Sequence, residues 1–278
     1  MLDNLRHFLL VVEHGTFTAA ARHAFITQPA LSTSIKRLEE QLGGRLLHRD
    51  PRGASPTAAG RALIPSAQQA LAAVQDGRRA VAEVLGLQAG EVRLGAGPTA
   101  ATYLLPGTLA RFRQLHPAVR IYLREAHSPE SWDGLRRGAL DLVFVTGSSV
   151  PRDGRWFVVE PCMEDTLVVA SAPGDPSPDA WVGFPRGSML RAILDEHFDS
   201  PDVVMELGSI AAVKGNVRAG IGRCLISRQA ITQDVAEGRL VEVDDPRAPI
   251  ARTLVLAHRG VDRLSPAAAR LRELLLEG

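Results

Sequence analysis

The sequence has few cysteines and no pattern of metal ligands. Its two cysteines, Cys162 and Cys224, lie far apart without a Cys-x-x-Cys pair, and its eight histidines are scattered. A disulfide scaffold needs paired cysteines, and a zinc site needs ligands at short spacing. We therefore expect free thiols in a reducing cytoplasm, and we expect neither a metal ion nor another cofactor.

Long hydrophobic runs and an excess of one charge are also missing. No apolar run approaches the ~20 residues that a membrane-spanning helix needs, so we expect no association with a membrane. The net charge is +1, from 32 basic and 31 acidic residues, and lysine occurs only at Lys36 and Lys214. Any contact with nucleic acid must therefore come from a local basic patch.

Motifs of the common enzyme classes are absent. The sequence contains no Gly-x-Ser-x-Gly elbow, no phosphate-binding P-loop and no His-Glu-x-x-His zinc pattern. Residues 95–100 match the dinucleotide-binding pattern Gly-x-Gly-x-x-Ala between a predicted strand and helix, but Pro98 interrupts the loop. We expect the protein not to be an enzyme, and a nucleotide-dependent enzyme remains an alternative at this stage.

The first 42 residues show three short apolar repeats at helical spacing. The first covers residues 2–12 and stops at Gly15, while Thr16 and Thr27 are the expected N-caps of the second and third helices. Pro29 suits the first turn of the third helix. That helix should end at Gly43, and its expected buried stripe consists of Leu31, Ile35, Leu38 and Leu42.

A basic segment rich in turn-forming residues follows the third helix. Residues 46–57 contain Pro51, Gly53 and Pro56 among His48, Arg49 and Arg52, which favours a hairpin. Three helices followed by such a hairpin form a winged helix-turn-helix, in which the third helix lies in the DNA major groove. The alternative is a small helical bundle with a solvated polar face.

The winged helix-turn-helix interpretation identifies the residues expected to contact DNA. We expect base contacts from the face of the third helix opposite its apolar stripe, where the glutamine amide suits adenine. Arg49 and Arg52 suit phosphate or minor-groove contacts. The expected residues of the helix are Gln28, Pro29, Ser32, Thr33, Lys36 and Arg37.

A long alanine-rich helix is predicted next, beginning after Thr57 and ending near residue 85. Pro65 should kink it or mark a short break. A heptad seam interrupted only by Arg78 predicts pairing with a second subunit. The seam residues are Ala67, Leu71, Val74, Val81 and Leu85, and glycines between residues 86 and 90 mark a linker.

From residue 91 onward, predicted strands alternate with amphipathic helices, which is typical of a parallel α/β sheet. The predicted strands cover 92–96, 119–124, 140–145, 167–170, 203–205, 224–226 and 253–257. The predicted helices cover 104–115, 188–198 and 210–219. Thr99 and Thr102 are expected at a helix N-terminus, where free backbone N–H groups favour an anion.

Several motifs stand at fixed spacing in the N-terminal part. They are Phe17-Thr18-Ala19-Ala20-Ala21, Gln28-Pro29-Ala30-Leu31-Ser32, Leu38-Glu39, Leu42-Gly43, Arg49 and Thr57-Ala58-Ala59-Gly60. In this combination and order they resemble the N-terminal signature of the LysR-type transcriptional regulators, and the resemblance extends over the whole chain. Leu47 departs from it, because the family commonly has phenylalanine there.

The resemblance implies a winged helix-turn-helix at 1–60, a linker helix at 61–90 and an effector-binding domain at 91–278. That domain would consist of two Rossmann-like α/β subdomains of the periplasmic-binding-protein type, with the effector in the cleft between them. The matching effector-binding positions are Thr99, Ala100, Thr102, Thr146 and Ser209. Residues 207–222 resemble the branch that includes regulators of carbon fixation and sulfur metabolism.

The expected function is therefore that of a DNA-binding transcription regulator controlled by a small, anionic metabolite. Its expected partners are double-stranded operator DNA, a second copy of the chain in a homodimer or homotetramer, and RNA polymerase. Two alternatives remain open, each with a vestigial DNA-binding domain. They are a small-molecule-binding α/β protein and a nucleotide-dependent enzyme.

Overall fold

The computed structural model describes residues 1–50, 53–84, 90–151, 156–174 and 179–277. It divides into two compact units. The N-terminal unit contains the described residues up to 84 together with residues 136–139, and the C-terminal unit contains the other described residues from 90 onward. Across the described ranges, every helix is too short or too polar to cross a membrane.

The N-terminal unit begins with the three predicted helices, α1 (Leu2–His14), α2 (Phe17–His23) and α3 (Gln28–Leu42). Both predicted N-caps are confirmed. The Thr16 hydroxyl accepts the Ala19 N–H at 3.1 Å, and the Thr27 hydroxyl accepts the Ala30 N–H at 3.4 Å. These bonds satisfy N–H groups that have no partner within a helix.

The predicted stripe of α3 is buried over most of its length. Leu31, Ile35 and Leu38 are fully buried, and they pack in one core with residues of α1 such as Phe8. The prediction is wrong for Leu42, which is 49% exposed. Leu42 is the last residue of α3, and the helix ends there because Gly43 adopts a left-handed conformation.

The predicted wing is an antiparallel hairpin of β1 (Leu47–Asp50) and β2 (Gly53–Pro56). It is attached to the end of α1, because the Ala54 N–H donates to the Gly15 carbonyl oxygen at 2.6 Å. Gly53 makes this approach possible, since a Cβ there would lie 2.6 Å from the same oxygen. Leu47 is buried in the core beneath the wing.

Thr57 and Gly60 connect the wing to α4. The Thr57 hydroxyl donates to the Arg45 carbonyl at 2.8 Å and accepts the Gly60 N–H at 3.0 Å, which confirms the predicted cap. A Cβ on Gly60 would lie 2.1 Å from the Leu46 carbonyl oxygen. The Thr-Ala-Ala-Gly segment therefore has a steric requirement for glycine at its last position.

Helix α4 (Ala58–Val84) is continuous through Pro65, so the predicted break is absent. Ala67 is buried in the core of its own N-terminal unit, so it does not contribute to an outward-facing seam. Val81 is 58% exposed, and the predicted seam residue Leu85 lies outside the described residues. Leu71, Val74 and Val81 are therefore the described seam residues that can face a second subunit.

The C-terminal unit contains a seven-stranded sheet in the order β10-β6-β11-β5-β3-β4, with β9 also paired to β6, and a separate pair β7-β8. The strand bounds are β3 Glu91–Ala96, β4 Arg120–Glu125, β5 Leu142–Thr146, β6 Val158–Ser171, β7 Ala180–Gly183, β8 Asp202–Glu206, β9 Cys224–Ser227, β10 Val241–Glu242 and β11 Ile250–His258.

The expectation of a parallel sheet is correct only in part. Strands β4, β3 and β5 are parallel, and so are β7 and β8. The other pairs of the large sheet are antiparallel. Strand β11 pairs with β5 and β6, and strand β6 also pairs with β9 and β10. Apolar periodicity does not encode strand direction, so the sequence pattern could not distinguish these arrangements.

Helices cover this sheet system and enclose three apolar clusters. Their bounds are a π-helical turn Ala100–Leu104, then α5 Pro106–Leu115, α6 Ser128–Arg136, α7 Met189–His197, α8 Ile210–Arg218, α9 Arg228–Ala236 and α10 Pro266–Leu276. Two clusters share β5, one with Phe112 and Phe144 and the other with Trp132 and Val145. The third includes Trp181 and Val213. The unit therefore has two α/β halves, as predicted.

Candidate DNA-binding face and effector cleft

The predicted DNA-contacting residues of α3 lie on its solvent-accessible side. Ser32 is half-buried, whereas the other five are exposed: Gln28, Pro29, Thr33, Lys36 and Arg37. Leu31, Ile35 and Leu38 occupy the opposite, buried side. Arg52, the eighth predicted residue, lies outside the described residues.

Arg49 of the wing reaches α3. Its Nη1 donates to the Ser32 hydroxyl oxygen at 3.2 Å, and its guanidinium carbon lies 4.6 Å from the centre of the Phe17 ring. Sequence reasoning assigned Arg49 to phosphate or minor-groove contacts and gave Phe17 no individual role. The structure shows that Phe17 and Ser32 together orient the Arg49 side chain at the surface of α3.

The remaining polar groups of this surface are held loosely. The Thr33 hydroxyl donates to the Pro29 carbonyl at 3.0 Å, which leaves its lone pairs accessible. Lys36 Nζ lies 3.7 Å from Glu40 Oε1, but both side chains are more than 60% exposed, so this ion pair contributes little to folding stability. Lys36 is thus accessible to another anion.

A surface groove of about 490 Å³ separates the second half of α3 from the wing. Three basic residues line it, Lys36, Arg45 and Arg49, together with the acidic residues Glu39 and Glu40. Glu39 has a structural role, because its carboxylate accepts the N–H groups of residues 46 and 47 at 2.9 and 3.3 Å. Sequence reasoning missed Arg45, although its position beside the wing was the available signal.

A hydrogen-bond chain fixes α3 against α1. The Ser34 hydroxyl donates to Asn4 Oδ1 at 2.8 Å, and its oxygen lies 2.7 Å from His7 Nδ1. Burial lowers the pKa of His7, and the nearby Asp3 carboxylate only partly opposes this effect. His7 therefore supports the packing of α3 as a neutral side chain.

In the C-terminal unit, Thr99 and Ala100 are both buried in the helical segment that follows β3. The Ala101 N–H donates to the Gly97 carbonyl at 2.9 Å, so this segment starts at Gly97 and includes Thr99 in its first turn. The predicted placement at the helix N-terminus is wrong for Thr102. It is exposed and lies within the π-helical turn, beyond the free N–H groups of the helix start.

Thr99 and Thr146 lie at one edge of the sheet. Strands β3 and β5 are parallel neighbours, with Ala96 opposite Phe144, so the residues that follow them share the carboxyl edge. Thr146 is the buried last residue of β5. Ser209 follows β8 in the other half, where its exposed hydroxyl caps α8 by accepting the Ala212 N–H at 3.2 Å.

The two halves meet beside these positions through Tyr103 and Lys214. Lys214 Nζ lies 5.1 Å from the centre of the Tyr103 ring, and Tyr103 packs against the core of the second half. The same Nζ donates to the Ala230 carbonyl at 2.7 Å and to Asp234 Oδ2 at 2.8 Å. Sequence reasoning missed this contact, although Lys214 is one of only two lysines.

Asp234 is the centre of a mostly cationic cluster. Its side chain is 1% exposed and forms ion pairs with Lys214, Arg218 and Arg239, the last of which also pairs with Glu237. Burial alone raises the pKa of Asp234, but the three cations outweigh burial and lower it overall. Asp234 is therefore ionised, and its immediate surroundings remain net positive.

Neither cysteine has the environment of a reactive thiol. The Cys162 thiol donates to the Leu275 carbonyl at 2.9 Å, and burial raises its pKa to about 11. Cys224 is fully buried, and burial raises its pKa to about 12. Within the described ranges, no group of three or more histidine, cysteine or acidic side chains is arranged to hold a metal ion.

The Gly-x-Gly-x-x-Ala match has a packing explanation. A Cβ on Gly95 would lie 2.6 Å from Leu140 Cδ1, so the first glycine of the pattern is needed for contact with that side chain. Gly97, the second, would meet nothing within 4 Å. The first glycine is thus accounted for without a nucleotide.

Two family models match nearly the whole chain. Residues 2–61 match the bacterial regulatory helix-turn-helix protein of the lysR family, and residues 85–278 match the LysR substrate binding domain. The chain belongs to the LysR family. It is a LysR-type DNA-binding transcriptional regulator with an effector-binding domain, and members of this family are regulators.

Known relatives agree with this membership. A probable RuBisCO transcriptional regulator of Cyanidioschyzon merolae is 33% identical over 274 residues, covering 91% of this chain and 90% of that protein. ArgP of Mycobacterium tuberculosis has the same fold, with a TM-score of 0.70, 20% identity and coverage of 99% and 95%. Vibrio fischeri DarR, solved in complex with DNA, has a TM-score of 0.60 and 18% identity. The match covers 99% of this chain and 98% of that protein.

Proposed function

We propose that α3 of this LysR-type regulator reads its operator in the major groove through the exposed side chains described above. Gln28, Ser32 and Thr33 would contact base edges, while Lys36 and Arg37 would contact bases or phosphates at the margin. Arg49 of the wing would contact phosphates or the minor groove, as would Arg52, whose role is predicted from the sequence. The hydrogen bond between Arg49 and Ser32 is the observation that carries this proposal, because it holds a cation of the wing against the accessible side of α3.

The test is a gel-shift titration with DNA from upstream of the protein's own gene. Ser32→Ala should weaken binding by ~1–3 kcal/mol and relax sequence preference, as expected when one good base contact is lost. Gln41→Ala is the matched control, because Gln41 is an exposed residue of the last turn of α3. Equal affinity of both variants and the wild type would contradict the proposal. Failure of the wild type to bind would favour a vestigial DNA domain.

We propose further that the cleft between the two α/β halves binds a small anion. Support comes from the shared sheet edge of Thr99 and Thr146, and from the free N–H groups at the start of the Thr99 helix. The Ser209 hydroxyl accepts an N–H and retains its own hydrogen for donation to an anion. The net positive surroundings of Asp234 also favour a negative ligand.

The ligand class follows from this chemistry and from the relatives. A tetrahedral oxyanion or a short carboxylate suits hydroxyls and backbone N–H groups. A 33% identical relative is named a probable RuBisCO transcriptional regulator, which makes phosphorylated sugars natural probes. Calorimetric titration of the full chain with sulfate, phosphate, phosphorylated sugars and short carboxylates would identify the class.

The double variant Thr99→Ala/Ser209→Ala tests the same cleft. Each lost hydrogen bond to a charged ligand should cost ~1.5–3 kcal/mol, so anion binding should disappear while basal DNA binding persists. Thr232→Ala is the control, because the exposed Thr232 hydroxyl only donates to its own helix. Undiminished anion binding in the double variant, or binding of neutral and cationic ligands alone, would exclude this site.

Effector binding would act through subunit arrangement. We propose that α4 pairs with the same helix of a second subunit through Leu71, Val74 and Val81, within a homotetramer. Anion binding would shift the population of tetramer conformations and thereby the spacing of DNA sites presented to RNA polymerase in the cytoplasm. Analytical ultracentrifugation of Val74→Glu should show a loss of dimers. An unchanged oligomer would place the interface elsewhere.

A further inference from the structure

Phe25 stands out between α2 and α3. Its side chain is 95% exposed, although phenylalanine is a large apolar residue. Its backbone φ is +55°, and Phe25 and Ser200 are the non-glycine residues with positive φ in the described part of the chain. A bulky residue is unfavourable in this region of backbone space.

The backbone around Phe25 forms a common type of helix end. The Phe25 N–H donates to the Arg22 carbonyl and the Ile26 N–H donates to the Ala21 carbonyl, each at 3.1 Å. These two bonds define a Schellman motif, in which the residue at the position of Phe25 is usually glycine or asparagine. Ile26 supplies the apolar contact of this motif by packing against the domain core.

Phe25 is therefore at a position that disfavours it, and it receives little compensation from its own chain. An asparagine would satisfy the same backbone, and a side chain that is 95% exposed gains almost nothing from packing. Strain of this kind is often found at sites of function. The presence of phenylalanine at this position thus points to a contact outside the folded chain.

Its location identifies the partner. Phe25 lies two residues before Thr27, which caps α3, and three residues before Gln28. The N-terminal end of a recognition helix is the part that approaches base edges in helix-turn-helix complexes. Phe25 therefore adjoins the start of the DNA-binding face proposed above, which favours the operator duplex as its partner.

We propose that the Phe25 ring contacts thymine 5-methyl groups in the major groove of the operator, which makes it a specificity-determining residue. The methyl group is the apolar feature of a base pair in the major groove, and phenylalanine is one of the side chains that suit it. This inference rests on the proposed DNA-binding face of α3. It adds an apolar contact to a face that otherwise reads bases by hydrogen bonding.

The test uses the full-length protein and an operator fragment in which single thymines are replaced by uracil, which lacks only the methyl group. Wild-type affinity should fall about fourfold at one or two thymines, which is the effect of one buried methyl-sized group. Phe25→Asn should bind the thymine operator at least that much more weakly and should be insensitive to uracil at those positions. Phe25→Leu should keep part of the uracil effect.

Thermal unfolding distinguishes a DNA contact by Phe25 from a purely structural role of this residue. Phe25→Asn should raise the melting temperature, because asparagine tolerates positive φ, while it lowers operator affinity. A purely structural role would move both quantities in the same direction. A more stable Phe25→Asn with unchanged affinity, or wild-type affinity that is indifferent to every uracil, would overturn the proposal.

Ser32→Ala distinguishes failure of the proposed Phe25 contact from failure of the proposed DNA-binding face of α3. If Ser32→Ala weakens binding and Phe25→Asn does not, the α3 face stands and the Phe25 contact is wrong. If neither variant changes affinity, the α3 face itself is wrong, and the Phe25 contact is wrong with it. If Phe25→Asn lost the same factor of affinity relative to wild type on the thymine and the uracil operators, the assignment of the contact to the methyl group would be wrong.

Discussion

Arg49 and Ser32 belong to different elements, and the Arg49 Nη1 donates to the Ser32 hydroxyl at 3.2 Å. The wing and the recognition helix are therefore coupled at the surface that is proposed to face DNA. Only one side of the guanidinium is used by this bond, because Arg has five N–H donors in a planar fork. The remaining donors are available to a phosphate or a base edge.

This coupling predicts non-additive effects on operator binding. Ser32→Ala and Arg49→Ala should each weaken binding, and the double variant should weaken it by less than the combined single effects, with a coupling energy of ~0.5–3 kcal/mol. The measurement is a double-mutant cycle by fluorescence anisotropy at fixed salt concentration. Strict additivity would show that the two side chains act independently on DNA.

Gly60 should be intolerant of any side chain. Its Cβ would lie 2.1 Å from a backbone oxygen of residue 46, so Gly60→Ala should destabilise the N-terminal unit by ~2 kcal/mol or more, through a forced backbone shift. Gly77→Ala is the matched control. It lies within α4 with nothing within 4 Å of its Cβ, and it should stabilise by ~0.5–1 kcal/mol. Chemical denaturation of both variants would reveal any reversal of this order.

Asp245 should make folding stability sensitive to acid. Both Asp245 oxygens accept hydrogen bonds from Arg247 at 2.8 Å, and these bonds lower the pKa of Asp245 to about 2 despite its burial. The unfolded carboxyl binds its proton near pH 4, so the stabilisation is present above that pH and is lost as the pH falls towards 2.

The Asp245→Asn variant tests this linkage. It should reduce the unfolding free energy at pH 7 by ~1–3 kcal/mol, and the difference from wild type should shrink between pH 4 and pH 2. Glu196→Gln, at an exposed carboxylate of α7, is the control and should show neither effect. A difference that is constant across this pH range would mean that Asp245 acts through packing and not through its charge.

The thiols should be unreactive in the folded protein. Because the pKa of Cys162 is about 11 and that of Cys224 about 12, the thiolate fraction of both is very small at pH 8. Labelling with a chromogenic disulfide should be slow in buffer and rapid after denaturation. Fast labelling of the native chain, or a loss of DNA binding after mild peroxide treatment that Cys162→Ser abolishes, would establish a reactive site.

Local sequence signals determined much of the N-terminal unit. The caps Thr16, Thr27 and Thr57 act on N–H groups three residues away, so their effect is readable without the fold. The burial of Leu31, Ile35 and Leu38 follows from helical periodicity in the same way. Leu42 has the same spacing but is exposed, because burial also requires a neighbouring element at that end of the helix.

Contacts between segments that are distant in the chain could not be predicted from the sequence. The Arg49–Ser32 bond depends on how the wing folds against α3, and the Tyr103–Lys214 contact depends on how two halves of a sheet system meet. Strand direction was equally hidden, since parallel and antiparallel strands share the same apolar pattern. The sequence by itself determined the family, the helix ends and most of the buried stripe, because each depends on neighbouring residues or a fixed motif order. Only the tertiary structure decided which side chains meet, because those distances depend on the packing of the whole chain.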